Sequence, residues 1–457
     1  MKASLKVGVS GVRGVIGESF TPQLATSFAQ AFGTFVGGGA VVVGRDTRPS
    51  GVMIENAVVA GLQSVGCKPI LVGIVPTPTL LMLTRDLGAN GGIAITASHN
   101  PSEWNALKFV DRNGLFLDEA HAQELFDLYH QQDFPLVREE ALQQVQRESA
   151  PMHRHFQRIV DYVDAAAIRA RKFKVAVDCC NGVGALSSAN FLRDQLGCEV
   201  VTIFDKPSGI FEREPEPVPK NLTRLCETVV KEKCAIGFAQ DPDGDRLAIV
   251  NENGQPIGED LTLAFAVWQV LDKHGKGPIA INLSASKAVE DVARARGCEV
   301  IRTKIGEINV ASAMLKNRCV VGGENNGGVM VSAIHPCRDS FVAMALALEL
   351  MAHTGKSVSQ LRAEIPEYFV ERDKLEIRSD QSPEILRMIR REFADRPVNF
   401  LDGAFVDFGD AWLHVRRSNT EPVIRVTAEA RTAARAKEMT ASMYDLIDRA
   451  LQARHGA

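Results

Sequence analysis

Short apolar runs and amphipathic stretches alternate along most of the chain. Ala40-Val41-Val42-Val43-Gly44 predicts a strand ending in a turn, residues 54–65 a helix, and residues 69–74 and 93–96 two further strands. Such β-α-β alternation is the pattern of an α/β sheet whose strands are largely parallel. Residues 123–148 are polar with helical spacing and read as surface helices that close a first unit. A helix over 154–163 opens a second unit, followed by a strand over 174–178 and a turn at Asn181-Gly182-Val183-Gly184 into another helix. The proline-rich stretch 211–219 predicts an extended connection, because proline restricts both itself and the residue before it. A third unit repeats the pattern with a strand over 279–283 and a helix over 287–296. The apolar residues 341–351 contain Glu349 and are too few to span a bilayer, so they predict a buried helix. Beyond 365 the texture changes to a strand over 372–377, a helix over 385–393, strands over 404–408 and 411–415 around the turn pair Gly409-Asp410, and a last helix over 433–450. The expected units are therefore 1–150, 151–251 and 252–365, all α/β, and an α+β unit over 366–457.

The length of 457 residues fits several domains. A hydrophobic content of 45% allows sizeable cores, and a net charge of -4 without any basic tract argues against a nucleic-acid binder. Nine cysteines, an odd number with no C-x-x-C pair, suit a reducing compartment and carry no zinc-ligand spacing. The N-terminal residues lack the apolar core of a signal peptide, and a cytoplasmic protein without a membrane partner is expected.

Each of the first three units carries a strand running into a polar loop: 94–96 into Ser98, 237–239 into Asp241, and 319–321 into Glu324. Open α/β sheets bind ligands at such carboxyl ends. The first loop, Thr96-Ala97-Ser98-His99-Asn100-Pro101, presents a serine that could be a nucleophile or could carry a phosphoryl group. Adjacent residues rarely make a productive Ser–His hydrogen bond, and no nucleophile-elbow motif is present. The second, Asp241-Pro242-Asp243-Gly244-Asp245-Arg246, can converge three carboxylates on one point, with Gly244 allowing the tight turn. Clustered like charges call for a divalent cation, and all-oxygen ligands suit Mg2+. Position 12 of a calcium loop would be Glu252, but residues 246–250 form an apolar strand, so that loop type is excluded. The third, Gly323-Glu324-Asn325-Asn326-Gly327-Gly328, offers a carboxylate and an amide to paired hydroxyls, with glycines that let a ring approach. In the last unit, Arg416-Arg417-Ser418-Asn419-Thr420, with Arg425 nearby, packs donors suited to a phosphate dianion.

These four motifs in this order, with Ser10-Gly11-Val12-Arg13-Gly14 and Gly44-Arg45-Asp46-Thr47-Arg48, resemble the α-D-phosphohexomutase family over nearly the whole chain. The resemblance implies three related α/β domains and a C-terminal α+β domain around a central cleft, in a monomer or homodimer. It implies interconversion of hexose 1-phosphate and 6-phosphate through a phosphoserine at Ser98 and a hexose 1,6-bisphosphate, which also acts as activator. It further implies one Mg2+ per chain held by Asp241, Asp243, Asp245 and the phosphoserine. Arg13 and Lys108 would lie near the transferring group, Lys108 as general acid/base, while His99 supports the loop. Arg246 would contact substrate or phosphate, and Glu324 and Asn326 would read the hydroxyls at C3 and C4. Arg416, Ser418, Asn419 and Thr420 would grip the phosphate that is not reacting.

Two departures bear on the sugar. Many members have Gly-Glu-x-Ser-Gly-His in the sugar loop, whereas Gly328 stands here at the histidine position. Lys304-Ile305-Gly306-Glu307 carries Glu307 where the bacterial phosphomannomutase/phosphoglucomutases have histidine. A carboxylate beside Gly306 could favour an amino sugar, or could equally face solvent. The expected activity is of phosphoglucomutase/phosphomannomutase type, with phosphoglucosamine mutase as the alternative. More distant readings are a phosphosugar phosphatase and a non-catalytic phosphosugar binder.

Overall fold

The computed structural model describes residues 5–377, 381–417 and 423–452. The first sheet holds β1 (Lys6–Gly8), β2 (Gly11–Val15), β3 (Gly39–Arg45), β4 (Cys67–Ile74), β5 (Gly91–Ile95), β6 (Trp104–Val110) and β7 (Gln146–Arg147), in the order β1-β2-β6-β5-β3-β4-β7. The second holds β8 (Lys174–Asp178), β9 (Glu199–Ile203), β10 (Ile236–Gln240) and β11 (Leu247–Asn251), in the order β11-β10-β8-β9. The third holds β12 (Ile279–Asn282), β13 (Val300–Thr303), β14 (Val321–Glu324) and β15 (Gly328–Val331), in the order β13-β12-β14-β15.

The faint repeat of the sequence is a strict repeat of topology. The sets β6-β5-β3-β4, β11-β10-β8-β9 and β15-β14-β12-β13 are one arrangement used three times. In each, three strands are parallel and the fourth returns antiparallel beside the strand that precedes it. The sheets are thus mixed rather than wholly parallel. Each of the Ser98, Asp241–Asp245 and Glu324 loops is the connection into that antiparallel strand.

The last sheet is antiparallel throughout: β16 (Phe369–Glu376), β17 (Val398–Asn399), β18 (Ala404–Asp407), β19 (Trp412–Arg417) and β20 (Val423–Ala430), in the order β16-β20-β19-β18-β17. Its turn is the one expected: Phe408 N donates to Ala411 O at 2.9 Å, and Gly409 supplies a φ of 87°.

The helix Ser340–Thr354 is buried from Ser340 to Met351 and sits in the largest core cluster, which also takes in Phe191, Phe238 and Phe265. The one charge within it, Glu349, accepts from Asp164 N at 2.6 Å and from His274 Nε2 at 2.7 Å. Residues 123–148 differ from expectation. The helix Glu119–Gln131 stops at Gln132, which is left-handed, and the chain then runs irregularly past Pro135, with one 3-10 turn at Glu139–Ala141, until β7 adds to β4. Pro135 disfavours the helical region for the residue before it, so polar composition alone misreads this stretch. No helix among the described residues is long and apolar enough to cross a membrane.

Candidate active site

The three repeated connections converge. Ser98 is buried, and its Oγ donates to Asp241 Oδ2 at 3.1 Å, joining the first sheet to the second. Leu247 N donates to Gly327 O at 3.1 Å, joining the acidic loop to the Glu324 loop. A Cβ on Gly327 would lie 2.2 Å from Leu247 O, and its φ is 79°, so only glycine allows this approach.

Ser98 has a φ of 49°, an uncommon conformation for a non-glycine residue. Arg48 holds it there. The guanidinium is buried and donates through Nη2 to Ser98 O and Asn100 O, each at 2.7 Å, and through Nη1 to Pro101 O at 2.5 Å. Its Nε donates to Asp46 Oδ2 at 3.0 Å, and its Cζ lies 5.0 Å from the centroid of the Phe211 ring. His99 Nδ1 is 3.4 Å from Ser98 Oγ. Burial, then the charge of Arg246, pushes the His99 pKa down to about 3, so its ring is neutral at neutral pH. Arg13 Nη1 reaches Asn100 Oδ1 at 3.5 Å.

Carboxylate oxygens of Asp241, Asp243 and Asp245, one from each, lie within 4.8 Å of one another, and all three residues are buried. Each carboxylate has at least one oxygen occupied. Asp241 Oδ1 accepts from the backbone of Asp245 and Arg246 at 3.1 and 3.2 Å. Asp243 Oδ2 accepts from Lys108 Nζ and Thr77 Oγ1, each at 2.9 Å. Asp245 Oδ2 accepts from Arg338 Nη2 at 2.5 Å. Asp243 Oδ1 and Asp245 Oδ1 are buried without a hydrogen bond, the nearest cation to Asp245 Oδ1 being Arg246 Nε at 3.8 Å. Orphaned, clustered carboxylate oxygens are costly, and a hard divalent cation would relieve both the missing contacts and the repulsion. The donor set therefore fits such an ion. Burial, with Asp245 and Asp243 alongside, pushes the Asp241 carboxyl well above the usual range. Burial acts on Asp243 in the same sense, but the Lys108 ammonium and the Thr77 hydroxyl hold it far below.

Glu324 is buried. Its Oε1 accepts from Gly306 N at 2.9 Å and Asn282 Nδ2 at 3.2 Å, and its Oε2 from Arg338 Nη1 at 3.0 Å. Asn326 is half-buried, and its Oδ1 accepts from Gly328 N at 3.2 Å. Glu307 neither faces solvent nor offers a free carboxylate toward Gly306. It is buried with Oε1 on Arg338 N at 3.0 Å and Oε2 on Arg338 Nε at 3.1 Å. Burial raises its pKa to about 7 against the opposing pull of Arg338. Arg246 Nη1 donates to Glu216 Oε1 at 3.1 Å, on the proline-rich connection.

In the last sheet Arg416 stands opposite Arg425 in the β19–β20 register. Burial and Arg425 lower the Arg416 pKa while Asp402 opposes them, in that arrangement of like charges that an anion would relieve. Ser418, Asn419 and Thr420 lie outside the described residues. This unit is fastened to the third. Asp402 Oδ2 accepts from Ile305 N at 3.3 Å, and His414 Nδ1 meets Ser284 Oγ at 3.1 Å.

Two residues central to this geometry were not singled out for a role by sequence reasoning: Arg48 and Arg338. The local signal for Arg338 was a cation directly before an aspartate at a helix start. Asp339 does cap that helix, accepting from Phe341 N at 2.9 Å.

Comparison with known proteins extends the geometry. The family descriptions "Phosphoglucomutase/phosphomannomutase, alpha/beta/alpha domain I", "domain II" and "domain III" match residues 4–136, 153–254 and 258–369, and the "C-terminal domain" matches 370–446. A Methanopyrus kandleri protein described as a probable phosphoglucosamine mutase is 37% identical, covering 97% of this chain and 98% of its own. A Thermococcus kodakarensis protein described as a phosphoglucomutase/phosphomannomutase is 36% identical, covering 97% and 99%. A crystal structure of a phosphoglucomutase/phosphomannomutase family protein from Burkholderia thailandensis has a TM-score of 0.83 at 28% identity, covering 98% of both chains. With all four domains matched in order and relatives this similar from end to end, the chain belongs to the phosphoglucomutase/phosphomannomutase family of α-D-phosphohexomutases.

Proposed function

We propose that this enzyme interconverts the 1-phosphate and 6-phosphate of a hexose, with Ser98 carrying the phosphoryl group between them. The observation that carries the reading is the contact of Ser98 Oγ with Asp241, beside two buried carboxylate oxygens that accept no hydrogen bond. Asp241, Asp243 and Asp245 would hold one divalent cation, with Mg2+ the ion best suited to oxygen ligands that leave room for a phosphoryl oxygen. When bound, that ion supplies charge neutralisation for the transferring group.

The chain's own residues account for the rest. Phosphoryl transfer depends mostly on positioning and charge. Transfer breaks the Ser98 Oγ–P bond and forms a bond from phosphorus to the sugar oxygen. The hydroxyl proton leaves as this bond forms, and Ser98 Oγ returns to the hydroxyl state. Lys108, held by Asp243 beside the loop, is the candidate for proton exchange, and Arg13 and Arg246 bring positive charge to the phosphoryl oxygens. Glu324 and Asn326 would read the sugar hydroxyls, and Arg416, Arg425 and Ser418–Thr420 the far phosphate. Turning the bisphosphate over presents either end to Ser98 and uses hexose 1,6-bisphosphate as intermediate and activator.

Glucose, mannose and glucosamine phosphates all suit this chemistry. Glu307 is committed to Arg338 and so does not discriminate among them, and phosphoglucosamine mutase fits as well as phosphoglucomutase/phosphomannomutase. The test is intact mass before and after hexose 1,6-bisphosphate, with isomerisation of the three 1-phosphates measured side by side. The expected result is one phosphoryl group on Ser98 and no isomerisation by Ser98→Ala. Full activity in Ser98→Ala would overturn the reading.

A further inference from the structure

One guanidinium joins two loops to which the proposed function assigns separate tasks. Arg338 Nη2 lies 2.5 Å from Asp245 Oδ2, Nη1 lies 3.0 Å from Glu324 Oε2, and Nε lies 3.1 Å from Glu307 Oε2. Asp245 belongs to the acidic loop and Glu324 to the sugar loop. With its charge among three carboxylates, Arg338 is pushed well above its ordinary pKa although burial opposes this.

Its backbone is pinned from both sides. Asp339 N donates to Val329 O at 2.9 Å, and Ser340 Oγ donates to Gly244 O at 2.6 Å, inside the acidic loop. Asp339 Oδ2 lies 2.6 Å from His155 Nε2, whose Nδ1 meets Thr79 Oγ1 at 2.8 Å, so the same turn is tied to the first and second units. A side chain launched from such a fixed base is pre-organised.

Gly328 makes the room. A Cβ there would lie 2.3 Å from Arg338 Cδ and 2.7 Å from Cγ. The stem of Arg338 thus fills the space that a side chain at position 328 would need. These atoms cannot swing aside freely, because the guanidinium beyond them is held by three carboxylates. Arginine is the residue type that can do this. Its planar fork sends donors in separate directions, whereas a lysine ammonium is a single point.

We propose that Arg338 is a positioning residue that sets the acceptor directions of Asp245 and Glu324 with one fork, and that residue 328 is glycine to admit it. Holding Asp245 by Oδ2 leaves Oδ1 for the cation point. Holding Glu324 by Oε2 fixes how it meets the sugar. Cation binding and sugar discrimination are therefore linked through Arg338. This rests on the proposed roles of the two loops.

The test uses the full chain and four variants: Arg338→Lys, Arg338→Ala, Gly328→Ala and Gly328→Ala with Arg338→Ala. Mn2+ alone is titrated calorimetrically, without sugar, and kcat and KM are measured on glucose 1-phosphate and mannose 1-phosphate. Arg338→Lys keeps the charge and loses the fork. It is expected to weaken Mn2+ binding by about tenfold or more, as loss of a group orienting a metal ligand does, and to narrow the ratio of kcat/KM between the two sugars. Gly328→Ala should shift both quantities the same way. It should add little in an Arg338→Ala background, because the clash with the stem is then gone and only Asn326 Oδ1, at 3.0 Å, stays close to the new Cβ. Wild-type Mn2+ affinity in Arg338→Lys, with or without a lower melting temperature, would overturn the proposal. So would a Gly328→Ala penalty that is undiminished after Arg338→Ala. The Mn2+ titration needs no turnover, so it separates failure of this inference from failure of the Ser98 reading.

Discussion

Arg48 Nη2 lies 2.7 Å from Ser98 O, and the same nitrogen binds Asn100 O at 2.7 Å. A buried arginine thereby holds the serine loop in a left-handed turn that its sequence does not favour. Arg48→Lys keeps the charge beside Asp46 but cannot span the same carbonyls. Misplacement on the scale of 1 Å costs about 10²-fold in rate, so kcat should fall by about that factor while the sugar KM changes little. Steady-state kinetics check this, and an unchanged kcat would remove Arg48 from the positioning of Ser98.

Lys108 sits 2.9 Å from Asp243 Oδ2 and next to the Ser98 loop. Lys108→Gln removes the proton-exchanging group. Isomerisation should drop by about 10²- to 10⁴-fold, the usual yield of general acid–base help. Phosphorylation of Ser98 by hexose 1,6-bisphosphate, followed by mass spectrometry, should slow in parallel.

The orphaned oxygens of Asp243 and Asp245 predict that a divalent cation stabilises the fold. After chelation, isomerisation should stop. Adding Mg2+ at about 100 times its dissociation constant should restore about 2.7 kcal/mol of stability by mass action, seen as a higher melting temperature. Asp243→Asn should show little or no such rise. A rise equal to that of the parent would place the ion elsewhere.

Asp260 is half-buried where the third unit meets the fourth, and its carboxylate accepts from Ser286 N at 2.9 Å. Burial, with Glu429 nearby, raises its pKa to about 7 against the opposing pull of the Ser286 hydrogen bond. The folded state therefore keeps a proton that the unfolded state releases near pH 4. Stability from this group is fully present below pH 4 and is lost as pH rises toward 7. Asp260→Asn should flatten that part of the pH profile in denaturant titrations. A slope equal to the parent's would assign the pH dependence to other groups.

The site was legible wherever its chemistry is local. The acidic loop shows three carboxylates within five residues, and the serine loop follows a strand within a few positions. Such arrangements leave a mark in sequence because the turn that builds them is short. The amphipathic periods of the units were legible for the same reason, and the buried helix Ser340–Thr354 was expected from its composition. Residues 123–148 misled because polar composition cannot distinguish an exposed helix from an irregular strap.

Sequence by itself determined the element types, the three strand-to-loop candidates and the family resemblance. Only the tertiary structure decided which partner each charge takes. Arg48 meets Ser98 across a separation of 50 residues, and Arg338 meets Asp245 across 93. Glu307 looked free in sequence and is spent on Arg338. Gly328 looked like a missing side chain and is room for another residue's stem. The physical reason is that a buried charge is stable only beside its counter-charge. Which counter-charge arrives depends on how the sheets pack, and that is written in no single stretch of the chain.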